Sequence, residues 1–265
     1  MPLTELQARL LRLLAANRSP DSYLAGATVI HQVAETPRFS QDLDFFHDLE
    51  ASVAQSAAAD AATLAAAGYH VRWLLRTPLF HRAVVAAAGE EVRLEWAQDT
   101  AFRFFPVESD PICGYRLHLA DAAVNKLLAL AGRQEVRDLV DILHLDAHGL
   151  SVGALAWAAC GKDPGYTPDL LLQHCNRHAC CTQDQLNRLM LRQPLDVRAL
   201  KVRWLQALEQ ARDLVAALPG DELGCLYLTA QGAVTTPDPA TFASAKLRRH
   251  AGSVRGAWPA LFTQP

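Results

Sequence analysis

The stretch Arg38-Phe-Ser-Gln-Asp-Leu-Asp-Phe-Phe46 constrains the fold more than any other part of the chain. It predicts a strand, and because strand side chains alternate between faces, Asp42 and Asp44 leave it on the same side. Two carboxylates sharing a face beside Leu43, Phe45 and Phe46 are too costly for core positions unless a cation or hydrogen-bond donors neutralise them. Carboxylate oxygens are hard ligands, so such a cation would be Mg²⁺ or Mn²⁺. The plainer alternative is a sheet-edge strand with both acids in solvent.

The residues upstream bear on this choice. Ser22 to Gly26 reads as a short extended run that meets Gly26-Ala27-Thr28, and Thr28 to Ala34 can form a helix. A helix N-terminus offers free backbone N–H groups and a partial positive charge to an anion, and a glycine lets a phosphate come close. A phosphate site would then sit near the acidic pair. Glu95, in Val92-Arg-Leu-Glu-Trp96 on a later predicted strand, could be the third carboxylate of a two-metal arrangement. It could equally be a solvated strand residue or a partner for Arg93.

The chain is long and apolar enough for a sizeable core, with 265 residues, 51% hydrophobic and 20% charged. Its first half reads strand, helix, strand, then the alanine-rich helix Ala51 to Ala67. Tyr69 to Arg76, Leu79 to Ala87 and Glu91 to Trp96 follow as consecutive strands. From Leu119 the apolar residues take a 3.6 period: Ala122 to Ala131, Glu135 to Ala147, Val152 to Cys160, Pro168 to His174, Gln183 to Leu191 and Val197 to Leu218 are predicted helices. The fold expected is α+β, a mixed sheet with flanking helices followed by a helical C-terminal half. Pro, Ser, Asp and Gly collect in Pro106 to Gly114, which sets the expected division: an α+β domain over 1–110, a helical domain over 111–222 that completes the site, and an extension over 223–265.

A net charge of −3 argues against a surface built throughout to coat nucleic acid, while leaving room for local basic patches. No apolar run reaches the roughly 20 residues of a membrane span. The leucines between Leu3 and Leu14 are interrupted by Glu5 and Arg9 and read as a first helix of a cytoplasmic protein rather than a leader. The six cysteines then read as reduced thiols, and His174, Cys175, His178, Cys180 and Cys181 lack the paired spacing of a zinc site.

On the helical side, Arg133, Arg137 and Asp141 stand at successive i,i+4 positions, with Lys126 near the same face if the helix continues through Gly132. Clustered cations suit a triphosphate; the alternative is a surface ion-pair ladder of little weight.

Three elements together, Tyr23-Leu-Ala-Gly-Ala-Thr28, Arg38-x-Ser40-x-Asp42-Leu-Asp44-Phe-Phe46, and Lys126-x-x-Ala-Leu130-x-x-Arg133-x-x-x-Arg137-Asp138-x-x-Asp141, resemble the AbiEii-type nucleotidyltransferase toxin family. The resemblance spans about Ser22 to Gly149. It implies the nucleotidyltransferase fold, Mg²⁺ (or Mn²⁺) and a nucleoside triphosphate, and a bacterial toxin–antitoxin or phage-defence role with a cognate antitoxin as partner. Residue by residue, it implies that Gly26, Ala27 and Thr28 form the triphosphate-binding turn, with Arg38 and Ser40 in the adjoining motif. It makes Asp42 and Asp44 metal ligands and Lys126 a triphosphate contact, and places Asp138 in the helical motif beside the site. The chain departs from the pattern at Ala27, where the family has a second Gly or a Ser.

The expected reaction is attack by an acceptor hydroxyl, on RNA such as tRNA or on protein, at the α-phosphorus, with pyrophosphate released. Glu95 would share a second metal, and Lys126, Arg133 and Arg137 would neutralise the leaving group. The alternative expectation is a catalytically degenerate nucleotide- or protein-binding module of the same fold.

Overall fold

The computed structural model describes residues 3–31, 33–87 and 89–259. Met1, Pro2, Gln32 of the helix expected over 28–34, and 260–265 of the C-terminal extension lie outside the described residues. In chain order the elements are α1 (Glu5–Leu14), β1 (Ser22–Ala25), α2 (Gly26–Ile30), β2 (Asp42–His47), α3 (Glu50–Ala66), β3 (Val71–Arg76), β4 (Phe80–Ala87), β5 (Glu90–Gln98), β6 (Phe102–Arg103), β7 (Glu108–Asp110) and β8 (Gly114–Arg116). The helical half follows as α4 (Leu119–Gly132), α5 (Val136–Ala147), α6 (Val152–Lys162), α7 (Pro168–His178), α8 (Gln183–Asn187) and α9 (Val197–Ala217). The chain ends in the short strands β9 (Cys225–Leu228), β10 (Val234–Thr235), β11 (Arg248–Ala251) and β12 (Ser253–Val254). The mixed α+β architecture expected from the sequence is the one observed.

Two compact units share these elements: Met1–Ala34, Phe39–Ala101 and Pro106–Ala122 form the first, and Glu35–Arg38, Phe102–Phe105 and Ala123–Pro265 the second.

The first unit is built on a sheet whose strand order, among the described residues, is β3-β4-β5-β2-β1-β8-β7. Strands β2 and β5 pair in parallel, as do β1 and β8, and the other neighbours are antiparallel. Pro106 to Gly114 is therefore no plain connection, since it holds β7 and the start of β8. Leu43, Phe45, Leu94 and Trp96 are fully buried on one face of the sheet. On that face Asp60 of α3 accepts from Trp96 Nε1 at 2.7 Å and from Arg18 Nη2 at 2.6 Å, and the Arg18 guanidinium lies 4.3 Å from the Phe45 ring centre. Desolvating a charge pair is costly, and these added contacts offset it. Helix α1 is closed by a capping box between Thr4 and Gln7 and buries Leu6, Leu10, Leu11 and Leu14.

In the second unit, Trp157 of α6 packs with Leu214 and Leu218 at the end of α9 and with Cys225 and Tyr227 of β9. Within the extension expected over 223–265, β9 is thus the central strand of a small sheet ordered β10-β9-β11. Gly224 makes its approach possible: its φ is +87°, and a Cβ on facing Gly161 would lie 2.3 Å from the Gly224 carbonyl oxygen.

Candidate functional site

In the first unit the acidic pair is fixed by its backbone. The Asp42 carbonyl accepts from Thr28 Oγ1 and from Ser40 Oγ, both at 3.0 Å. Ser40 is held in turn by Gln7 Nε2, which donates to its carbonyl at 2.8 Å. Thr28 and Ser40, expected in the phosphate-binding motifs, therefore pin the start of β2. With Leu43 and Phe45 in the core, Asp42 and Asp44 share the opposite face.

Strand pairing sets Asp44 opposite Ala25, which brings its carboxylate over the next residue, Gly26. A Cβ built on Gly26 would lie 1.8 Å from Asp44 Oδ2, and the Gly26 φ is +65°. Both facts require glycine here. Helix α2, shorter than expected, starts at this turn with no side chain capping it. A cavity of about 240 Å³ in the same unit is lined by Val29, Val33, Glu108, Arg116, His118 and Leu119.

Register decides what else faces the pair. Arg93 lies opposite Asp42 and Glu95 opposite Asp44, and Arg82 of β4 lies opposite Glu95. Glu95 Oε1 accepts from Arg82 Nε at 2.8 Å, while Arg93 Nε stands 3.5 Å from Asp42 Oδ1. Glu95 is thus beside Asp44, as a third carboxylate needs to be, but it is committed to an arginine the sequence reading did not single out.

In the second unit Lys126 Nζ bridges Asp138 at 2.8 Å and Asp141 at 3.2 Å. Arg38 clasps Asp141 with two hydrogen bonds of 2.7 and 2.6 Å, and Arg133 Nε donates to Asp138 at 2.8 Å. Three cations thus meet two anions, and both carboxylates are buried. Burial would raise Asp138, but Lys126 and then Arg133 overcome it and hold the carboxyl below its ordinary range. The one continuous helix face expected to carry Arg133, Arg137 and Asp141 is broken at its first step, while Arg137 and Asp141 stay four residues apart on α5. Helix α4 ends at Gly132 and α5 begins at Val136, so Arg133 lies between helices and reaches Asp138 instead. Glycine's weak helix propensity allows the break, and Arg137 faces Glu135 at 3.8 Å.

No family model and no curated protein matches the chain. Solved structures do. The nucleotidyltransferase toxin MenT4 from Mycobacterium tuberculosis H37Rv superposes with a TM-score of 0.58 at 18% identity, over 82% of this chain and 83% of that one. A candidate nucleotidyltransferase from H. pylori gives 0.52 at 20% identity, over 82% and 99%. The fold is that of a nucleotidyltransferase.

Nucleotidyltransferases of this fold generally use a nucleoside triphosphate and a divalent metal. Among the described residues no group of three His, Cys, Asp or Glu side chains could hold an ion. Mg²⁺, however, is commonly held by one or two carboxylates, with water and substrate phosphates as its other ligands. Asp42 and Asp44 on one face, with the Asp44 carboxylate seated against the Gly26 backbone, fit that manner of binding.

Three residues of the His174 to Cys181 segment are engaged elsewhere. Cys175 Sγ lies 3.7 Å from the Leu127 carbonyl, His178 Nδ1 lies 3.2 Å from that of Leu130, and His174 meets the Tyr166 ring edge-on. Among the described residues no single helix is long and apolar enough to cross a membrane.

Proposed function

We propose that the chain is a metal-dependent nucleotidyltransferase that moves a nucleoside monophosphate from a triphosphate to an acceptor hydroxyl, on RNA such as tRNA or on protein. We further propose that it acts as a bacterial toxin of the AbiEii type, countered by a cognate antitoxin. The observation that carries this reading is the apposition of Gly26 and Asp44 on a strand whose Asp42 shares the same face, within a nucleotidyltransferase fold.

In this reaction the acceptor oxygen bonds to the α-phosphorus, the bond from that phosphorus to the β-bridging oxygen breaks, pyrophosphate departs and the hydroxyl proton passes to solvent. A bound Mg²⁺ supplies charge neutralisation at the phosphates and a lower pKa for the acceptor. Asp42 and Asp44 hold it, and the turn Gly26-Ala27-Thr28 lets the triphosphate approach the backbone. Lys126 is a triphosphate contact, and Asp138, buried against it, is a positioning residue for its ammonium group. Arg133, half-exposed, adds positive charge beside it.

One observation favours a second reading, a binding module without catalysis: Glu95 is already paired with Arg82. Transfer of label from each α-labelled nucleoside triphosphate, with Mg²⁺, to total RNA and to protein separates the two. Label is expected with the wild type, and a loss greater than about a hundredfold in folded Asp44→Asn, since even partners of metal ligands contribute 10–100-fold. Equal label with D44N removes the carboxylate assignment. Nucleotide binding without label on any acceptor selects the binding module.

A further inference from the structure

The sheet face that carries Asp42 and Asp44 has its charges arranged by strand register. Asp42, Asp44 and Glu95 are three carboxylates, and Arg93 and Arg82, from the neighbouring strands, are two guanidinium groups. The two arginines are held differently. Arg82 Nε donates to Glu95 in a hydrogen bond of 2.8 Å, whereas Arg93 Nε is 3.5 Å from Asp42 Oδ1, an ion pair beyond ordinary hydrogen-bond length. The Asp42 side chain is 10% exposed and that of Arg93 38%. The carboxylate is therefore sunk in the protein while the guanidinium, on a long stem, borders solvent.

A carboxylate this buried is costly without a cation beside it. We propose that Arg93 is a built-in counter-ion of the metal site: it neutralises Asp42 when no metal is bound, and a divalent cation gains Asp42 by displacing it. With Arg93 swung away, Asp42, Asp44, Glu95 and Arg82 sum to −2, the charge that a divalent cation balances. The loose contact and the exposed head make this displacement cheap, and Glu95, bonded to Arg82, stays in place. Arg93 thereby sets the affinity for the metal without being one of its ligands. The inference rests on the reading of Asp42 and Asp44 as metal ligands.

The test is Mn²⁺ binding to the full chain by isothermal titration calorimetry at low ionic strength, where such a charge is least screened. Arg93→Gln and Arg93→Met, neutral replacements of similar length, are compared with charge-preserving Arg93→Lys and with Asp44→Asn, each checked for an unchanged circular dichroism spectrum. The neutral variants are expected to bind Mn²⁺ about tenfold more tightly than wild type, equivalent to about 1.4 kcal/mol. Arg93→Lys is expected to stay near wild type. Mn²⁺ affinity equal to or weaker than wild type in the neutral variants overturns the counter-ion while leaving the metal site standing. Mn²⁺ bound as well by D44N as by wild type, or not bound by wild type at all, overturns the metal site and the counter-ion with it.

Discussion

Gly26 and Asp44 cannot both be kept if the glycine gains a side chain. The Asp44 carboxylate occupies the space a Gly26 Cβ would need, 1.8 Å from Oδ2, and the Gly26 backbone has the left-handed φ of +65°. Strand register creates this relationship, since Ala25 pairs with Asp44 and the chain turns into α2 at the next residue.

Gly26→Ala is accordingly expected to injure function more than stability. An L-residue in the left-handed region costs about 1–2 kcal/mol, which thermal unfolding would show as a modest loss. The same Cβ drives the Asp44 carboxylate from its position, so Mn²⁺ binding and label transfer are expected to fall to the level of D44N. A folded variant that keeps wild-type Mn²⁺ affinity would show that the apposition has no part in the site.

Asp138→Asn is expected to cost stability directly. Asp138 is fully buried and faces Lys126 and Arg133. Removing one member of a buried ion pair strands the other and costs about 3–5 kcal/mol. Chemical denaturation should record a loss of that order. A loss under about 1 kcal/mol would mean that Asp141 alone satisfies the Lys126 ammonium.

Acid sensitivity is expected from His47. Its ring is fully buried with Nε2 3.1 Å from Ser22 Oγ, and burial, then the nearby Arg18 charge, lower its pKa from 6.5 to about 4. In that window the unfolded chain binds the proton and the folded one does not, so stability rises with pH and falls on acidification. The fall from neutrality to about pH 4 amounts to about 3 kcal/mol from this group. Denaturation midpoints measured across that range should flatten in His47→Gln; an unchanged slope would place the acid sensitivity elsewhere.

The helix and strand pattern, the face shared by Asp42 and Asp44, and the glycine at the turn were legible in the sequence because each follows from local periodicity or from one residue's backbone freedom. Alternation by two places side chains on a face wherever the strand ends up, and a 3.6 period marks α5 and α9 in the same way. Which groups meet across strands was not legible. Arg93 faces Asp42, and Arg82 rather than Arg93 takes Glu95, because of the register of β2, β5 and β4. Register depends on turns and packing far from the residues it aligns. The break after Gly132 and the grasp of Arg38 on Asp141, 103 residues away, likewise arise only once the chain has packed. Local geometry therefore set the faces, and tertiary packing chose the partners, because a buried charge takes whichever counter-charge the fold brings within reach.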